Sequence, residues 1–332
     1  MIEPYRSSLN LYETQNAIGY IKQTFQFELS RRLHLIRATA PLFVDPATGL
    51  NDDLSGIERP VSFDIPGVPG VECAQVVHSL AKWKRQALGK YGFQPDTGLY
   101  TDMNAIRRDE EPDELHSIYV DQWDWEKVIT PEMRTEKMLK KTVKEIVDAI
   151  CATLSAVKSM YPQIPVQISH HVDFVTAQEL EDLYPGMTAK ERENAYVKEH
   201  PTTFIMQIGG KLASGKPHDG RAPDYDDWAL NGDLMFWDST LEKAMEISSM
   251  GIRVDAESME RQCKELGLEN RLDFPFHQAV LNGDLPLSMG GGIGQSRLCM
   301  LLLGKAHIGE VQVSLWPQKM IDDCAKKGIF ML

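Results

Sequence analysis

Four groups of residues in this sequence carry side chains suited to chemistry on phosphates and carboxylates. Arg107 follows the segment Leu99–Ile106 and opens the charged stretch Arg107-Arg108-Asp109-Glu110-Glu111. A guanidinium at a strand end offers a planar fork to a phosphate, against the plainer reading of a solvated charge run. The second group is Gly290-Gly291-Gly292-Ile293-Gly294, read as a loop in front of Gln295-Ser296-Arg297. Glycines let a ligand approach the backbone, and Arg297 then sits at a helix N-terminus. No Gly-Lys-Ser/Thr follows, so this is not a Walker loop, and it lacks dinucleotide-fingerprint spacing. The third group is acidic: Asp224, Asp226, Asp227, Asp233 and Glu246, spaced so that a subset could hold a Mg²⁺ that bridges nucleotide phosphates. The fourth is Glu246-Ile247-Ser248-Ser249-Met250-Gly251-Ile252-Arg253. In an unbroken strand Ser249, Gly251 and Arg253 share a face and Glu246 points away. Glu246 and Arg253 can then serve one pocket only across a bulge or a local twist. His34, His170, His171, His200 and His307 lack metal-ligand spacing and read as ordinary polar residues.

The elements that must position these groups follow from periodicity. Thr14 is the expected cap of a helix with Ile18, Ile21, Phe25, Leu29 and Leu33 at helical spacing. A strand over Leu35–Ala40 ends at Pro41, and another covers Ala74–His78 before a helix from Ser79 to Gln86. Ile118–Glu126 reads as a strand with Val120, Gln122 and Asp124 on one face and Tyr119, Asp121, Trp123 and Trp125 on the other. A long helix carries the stripe Leu139, Val143, Ile146, Ile150, Leu154 and Val157. Thr176 with Glu179, and Thr188 with Glu191, have capping-box spacing. Short strands are expected at Thr203–Ile208, Leu234–Trp237 and Ile247–Val254, and a helix at Ser296–Leu303 closed by Gly304. Strands joined by hairpins with helices inserted at intervals imply an α/β (α+β) fold, a mainly antiparallel sheet flanked by helices. No linker or repeat divides the 332 residues, so a single domain over 1–332 is expected.

Composition narrows the class. At 42% hydrophobic the chain is too apolar for disorder. No apolar run approaches a membrane span, and Met1–Asn10 lacks the layout of a signal peptide, so a cytoplasmic protein is expected. A net charge of −13 speaks against a partner gripped through its phosphates, such as nucleic acid. Five widely spaced cysteines without a CxxC suit reduced thiols.

Taken in order, the motifs resemble those of class II aminoacyl-tRNA synthetases. The helix, strand and Pro41 resemble the first motif, which in that family lies at a dimer interface. Arg107, its acidic loop and Ile118–Glu126 resemble the second, whose Arg binds the ATP α-phosphate. Gly290–Arg297 and its helix resemble the third, whose Arg binds the γ-phosphate, and the Glu246–Arg253 spacing is similar to that of aspartyl-tRNA synthetases. A finer resemblance is to ammonia-dependent asparagine synthetases, truncated relatives of the aspartyl and asparaginyl enzymes. It rests on Asp52-Asp53-Leu54-Ser55-Gly56, His78–Arg85, Tyr119–Glu126, Arg221–Trp228 and Leu230-Asn231-Gly232-Asp233, with Asp53 standing where the family has Asn. Only about 40 residues precede Pro41, too few for the five-stranded anticodon barrel of a tRNA synthetase. Residue 2 is Ile2, not the cysteine of glutamine-dependent enzymes, so free ammonia is the expected nitrogen source.

The resemblance implies a homodimer that uses ATP and Mg²⁺ to convert L-aspartate and ammonia into asparagine through β-aspartyl-AMP. It implies Arg107, Leu115, Ser117, Glu246 and Arg297 at the nucleotide and Asp233 and Glu246 at the metal. Asp52, Ser79, Lys84, Gln122, Asp124, Asp226, Ser249 and Arg253 fall to aspartate, with Asp52 or Asp226 as the base that takes a proton from ammonium. The alternatives are a synthetase paralogue without its anticodon domain, or a non-catalytic regulatory subunit.

Overall fold

The computed structural model describes residues 5–52, 54 and 58–332. Expectations placed on Ile2, Asp53, Ser55 and Gly56 fall outside these. Helix α1 (Leu11–Leu33) buries Ile21, Phe25, Leu29 and Leu33 along one side. Its cap is Asn10, not Thr14: the Asn10 side chain accepts from Glu13 N at 2.9 Å and the Glu13 carboxylate accepts from Asn10 N at 3.0 Å. That capping box starts the helix a turn early and places Thr14 inside it, buried, with its hydroxyl accepting from Lys305 Nζ at 2.9 Å.

Strand β1 (Leu35–Arg37) is shorter than the sequence implies, ending before Pro41. Strands β2 (Phe43–Val44), β3 (Ser62–Phe63) and β4 (Ala74–Val76) form a small sheet in the order β2-β4-β3. Helix α2 (Ala81–Tyr91) starts two residues after the expected Ser79, whose hydroxyl accepts from Ala81 N at 3.1 Å. Then come β5 (Gly98–Ile106), β6 (Tyr119–Val128) and α3 (Glu136–Met160), the last burying its whole expected stripe. Capping boxes at Thr176 and Thr188 open α4 (Ala177–Leu183) and α5 (Ala189–Glu199), with β7 (Asp173–Thr176) before them. The chain continues through β8 (Thr202–Met206), β9 (Asp226–Asp238), β10 (Lys243–Arg253), α6 (Ala256–Leu266) and α7 (Pro275–Leu281). It ends with β11 (Ser288–Gly294), α8 (Gln295–Leu303) and α9 (Gln318–Lys326).

Among the described residues the large sheet runs β1-β5-β6-β11-β10-β9-β8-β7. It is antiparallel except at its edges, where β1 pairs with β5 and β7 with β8 in parallel. Helices α1, α3 and α8 share one core with the sheet, in which Phe25 and Trp123 sit with ring centroids 4.7 Å apart. The opposite face carries Leu80, Met259 and Phe276 toward one end and Leu180, Val197 and Met235 toward the other.

The glycine-rich segment expected as a loop is the central strand β11, paired with β6 on one side and β10 on the other. Glycine is weak in strands, but here neighbouring side chains fill the space above it. A methyl group on Gly290 would overlap the Glu126 carboxylate, and one on Gly292 would overlap Gln122 and lie 2.8 Å from Asp124 Oδ1. No described helix is long and apolar enough to cross a membrane. All five cysteines are free thiols.

Candidate functional site

A cavity of about 510 Å³ opens over β6, β11 and β10. Its wall includes Asp52, Ser79, Lys84, Arg107, Leu115, Ser117, Gln122, Asp124, Asp226, Glu246, Ser249, Arg253 and Arg297. Of the residues that the resemblance assigns to nucleotide, metal and aspartate, all are on it except Asp233. Of the acidic run only Asp226 joins the wall; Asp227 is drawn away by Arg134 at 2.6 Å.

Alternation on β6 brings Gln122 and Asp124 to the cavity while Trp123 and Trp125 enter the core on the other face. The face conflict on β10 is resolved by a bulge. Glu246 pairs with Met235 but Ser248 with Leu234, so Ile247 is an extra residue that reverses the side-chain phase. Glu246 and Ser249 then face the same way. A second shift, between Gly251 and Arg253, brings Arg253 opposite Asp226.

At one end the charges are buried and interlocked. Arg253 Nε donates to Glu126 Oε1 at 2.9 Å, Nη2 donates to Glu126 Oε2 at 2.7 Å, and Nη1 donates to Asp226. Ser288 Oγ also donates to Glu126, at 2.8 Å. Lys84, 1% exposed, lies 3.3 Å from Asp124 Oδ1 and 3.9 Å from Glu126 Oε2 and donates to Gly291 O at 3.1 Å. Burial lowers the Lys84 ammonium below its ordinary value despite Asp124 and Glu126. Burial opposes the Arg253 charge too, but Glu126 and Asp226 more than offset this. It also raises the Asp226 carboxyl, even beside Arg253. Asp52, on the loop before β3, is buried and accepts from Leu54 N at 3.0 Å.

The other end is looser. Arg107 sits in the turn of the β5–β6 hairpin, its N–H donating to Ile118 O at 2.9 Å, and its buried Nε has no partner. Arg297, in the first turn of α8, donates through Nη1 to Glu246 O at 3.1 Å and through Nε to Leu115 O at 3.4 Å. Ser117 Oγ donates to Ser314 Oγ at 2.8 Å.

Asp233 lies just behind the wall, bonded to Arg221 and paired across strands with Ser249. Its carboxyl is pushed up to about 7 by burial, with Arg221 opposing and the Glu246 charge adding to the rise. Its Oδ1 is buried without a hydrogen-bond partner. Two close carboxylates with an orphaned oxygen fit a hard dication. No group of three or more His, Cys, Asp or Glu is gathered for a metal among the described residues.

Sequence reasoning assigned no role to Glu126 or Arg221. Glu126 has the same parity on β6 as Gln122 and Asp124, and extending that alternation by one step finds it. Arg221 follows Asp219-Gly220, which reads as a turn, and only the tertiary fold brings it to Asp233.

The sequence from residue 12 to 328 matches the family model described as aspartate-ammonia ligase. Among curated relatives, the aspartate–ammonia ligase of Levilactobacillus brevis is 57% identical over 99% of this chain and 98% of its own length. That of Ruminiclostridium cellulolyticum is 54% identical over the same shares. Among solved structures, the asparaginyl-tRNA synthetase of Pyrococcus horikoshii complexed with asparaginyl-adenylate superimposes with a TM-score of 0.66 at 13% identity, covering 92% of this chain and 70% of that one. The aspartyl-tRNA synthetase of Entamoeba histolytica gives 0.59 at 16% identity over 90% and 57%. The fold is thus that of the class II aminoacyl-tRNA synthetases. With matches at this identity over nearly its whole length, the chain belongs to the aspartate–ammonia ligase family.

Proposed function

We propose that this protein is an enzyme that joins ammonia to L-aspartate, forming L-asparagine with cleavage of ATP to AMP and pyrophosphate. The observation that carries the reading is a single cavity lined both by Arg107 and Arg297 and by the buried charges Lys84, Asp124, Arg253 and Asp226, with Glu126 bracing Arg253 from behind. The first pair suits phosphates and the second suits a small zwitterion with an extra carboxylate.

A bare carboxylate is nearly inert to amines, so the β-carboxylate of aspartate first attacks the α-phosphorus of ATP and pyrophosphate leaves. Arg107 and Arg297 neutralise charge developing on the phosphates, with Leu115 and Ser117 lining the nucleotide's place. Asp233 and Glu246 would hold Mg²⁺, which supplies further neutralisation when bound. Lys84 and Arg253 take the substrate carboxylates, while Asp52, Asp124 and Asp226 hold its ammonium and Ser79, Gln122 and Ser249 its polar edges. Ammonia then attacks the acyl carbon of β-aspartyl-AMP and AMP leaves. Ammonium must first lose a proton, and Asp226, whose burial raises its proton affinity, is the base we favour over Asp52.

We further read the chain as one catalytic domain, cytoplasmic, without a nucleic-acid partner, and dimeric through the region around Pro41. Phe27, Ile36 and Leu42 are exposed there, supporting a covered apolar face. Incubating purified protein with ATP, Mg²⁺, aspartate and ammonium and quantifying asparagine and AMP tests the activity. Aspartate-dependent pyrophosphate exchange without amide would favour a truncated tRNA synthetase, and no turnover a regulatory subunit.

A further inference from the structure

Behind the Asp52–Asp226 side of the cavity lies a second polar cluster that contributes nothing to its wall. Asp224 is fully buried, and its Oδ2 lies 2.7 Å from Lys82 Nζ, 2.8 Å from His277 Nε2 and 3.4 Å from Arg271 Nη1. Burial works against the charge of this carboxylate, yet Lys82, His277 and Arg271 together hold it well below the usual range. Lys82 Nζ also donates to the backbone oxygen of Asn51 at 3.2 Å. Asn51 is itself fixed: its amide donates to Gln75 Oε1 at 3.2 Å, and its Oδ1 accepts from His78 N at 3.0 Å.

Chain connectivity gives this cluster its meaning. Asn51 directly precedes Asp52, and Asp224 precedes Tyr225 and Asp226, all three followers being on the cavity wall. One ammonium therefore ties together the two segments that deliver the anions Asp52 and Asp226. Helix α2 serves both sides, directing Lys84 into the cavity and Lys82 away from it. A buried ion pair is seldom more stabilising than apolar side chains of the same volume, so what it adds here is direction: charged bonds of fixed geometry between loops that share no ladder.

We propose that Lys82 and Asp224 form a positioning pair that sets the separation of Asp52 and Asp226 and so governs affinity for the amino-acid substrate without touching the nucleotide. The inference rests on aspartate being that substrate. A displacement of about 1 Å at such a site is enough to lower efficiency by roughly 10²-fold.

Steady-state kinetics of Lys82→Met, Lys82→Arg and the double variant Lys82→Met with Asp224→Asn test it, with wild type run alongside. In Lys82→Met the KM for aspartate should rise about tenfold or more, while the KM for ATP stays within about threefold of wild type. Lys82→Arg should recover much of the affinity. The double variant also removes the buried anion that Lys82→Met deprives of its nearest cation, so its melting temperature should return toward wild type while the KM for aspartate stays high. An unchanged KM for aspartate, a parallel rise for ATP, or a double variant with normal aspartate KM overturns the proposal, because the pair would then serve stability alone. If Lys82→Met does not fold, the double variant decides by the same criterion. A wild-type protein that makes no asparagine sinks the functional reading itself, which is a different result.

Discussion

The two ends of the cavity differ in how their cations are held. Arg253 is held firmly: its guanidinium meets Glu126 and Asp226, and Glu126 is braced in turn by Ser288. Lys84 is similarly enclosed by Asp124, Glu126 and the Gly291 carbonyl. Arg107 and Arg297 are only partly fixed, one with an unpartnered Nε and the other held mainly by backbone oxygens. The difference fits the roles proposed for the two ends. A small amino acid offers few atoms for recognition, so its site must exist beforehand; a triphosphate brings enough charge to order its own ligands.

The contrast can be broken first at the loose end. Arg107→Ala should lower adenylate formation by roughly 10²-fold or more while circular dichroism and melting temperature stay near wild type, because no packed lattice is lost. Near-normal pyrophosphate exchange in that variant would remove the phosphate assignment.

At the rigid end, Lys84→Met leaves Asp124 without its nearest cation, while Glu126 keeps Arg253. Aspartate binding should weaken by about 2–5 kcal/mol while ATP binding, measured by calorimetry, changes little. Here, unlike at Arg107, the melting temperature should also fall. Asp124→Asn should weaken aspartate binding in the same way. Normal aspartate binding in both variants would mean the lattice is purely structural.

Glu246→Gln addresses the boundary between the ends. The Mg²⁺ concentration for half-maximal rate should rise about tenfold, with a smaller change in the KM for aspartate. A Mg²⁺ titration indistinguishable from wild type would exclude Glu246 as a ligand.

The smallest effect is one of pH. Burial raises the Asp226 carboxyl above 3.8, so acidification protonates it before an ordinary carboxylate. The KM for aspartate should therefore climb on the acid side at a higher pH than the KM for ATP, by a few-fold. For stability the sign is opposite: a raised folded value makes ionised Asp226 a cost to the fold that grows as pH rises through it. Coincident acid limbs for the two substrates would remove Asp226 from aspartate binding.

Much of this was legible in the sequence because it depends on short-range periodicity. The β6 alternation, the α3 stripe and the capping boxes at Thr176 and Thr188 are local patterns, and each appears where its spacing puts it. What was not legible depends on neighbours far along the chain. Glycines 290–292 look like a loop until the carboxylates of Glu126 and Asp124 are seen to need the space a Cβ would fill. The strands expected at 234–237 and 247–254 extend back to Asp226 and Lys243, because polar Asn231 and Asp233 interrupt the apolar pattern yet are buried. Thr14 lost its capping role to Asn10 because two residues competed for one helix start.

The bulge at Ile247 makes part of this enzyme sensitive to counting rather than to chemistry. A strand is read two residues at a time, and one inserted residue shifts everything beyond it by half a period. Every side chain on either side of Ile247 could be conserved and the site would still come apart if that one residue were deleted, with Glu246 turned to the core face or the Ser249–Arg253 segment turned away from the cavity. Single-residue deletions in β10 should therefore be far less tolerated than substitutions of Ile247 by other apolar residues. Natural variation in this family should then preserve the length of the strand more strictly than the identity of the residue that bulges.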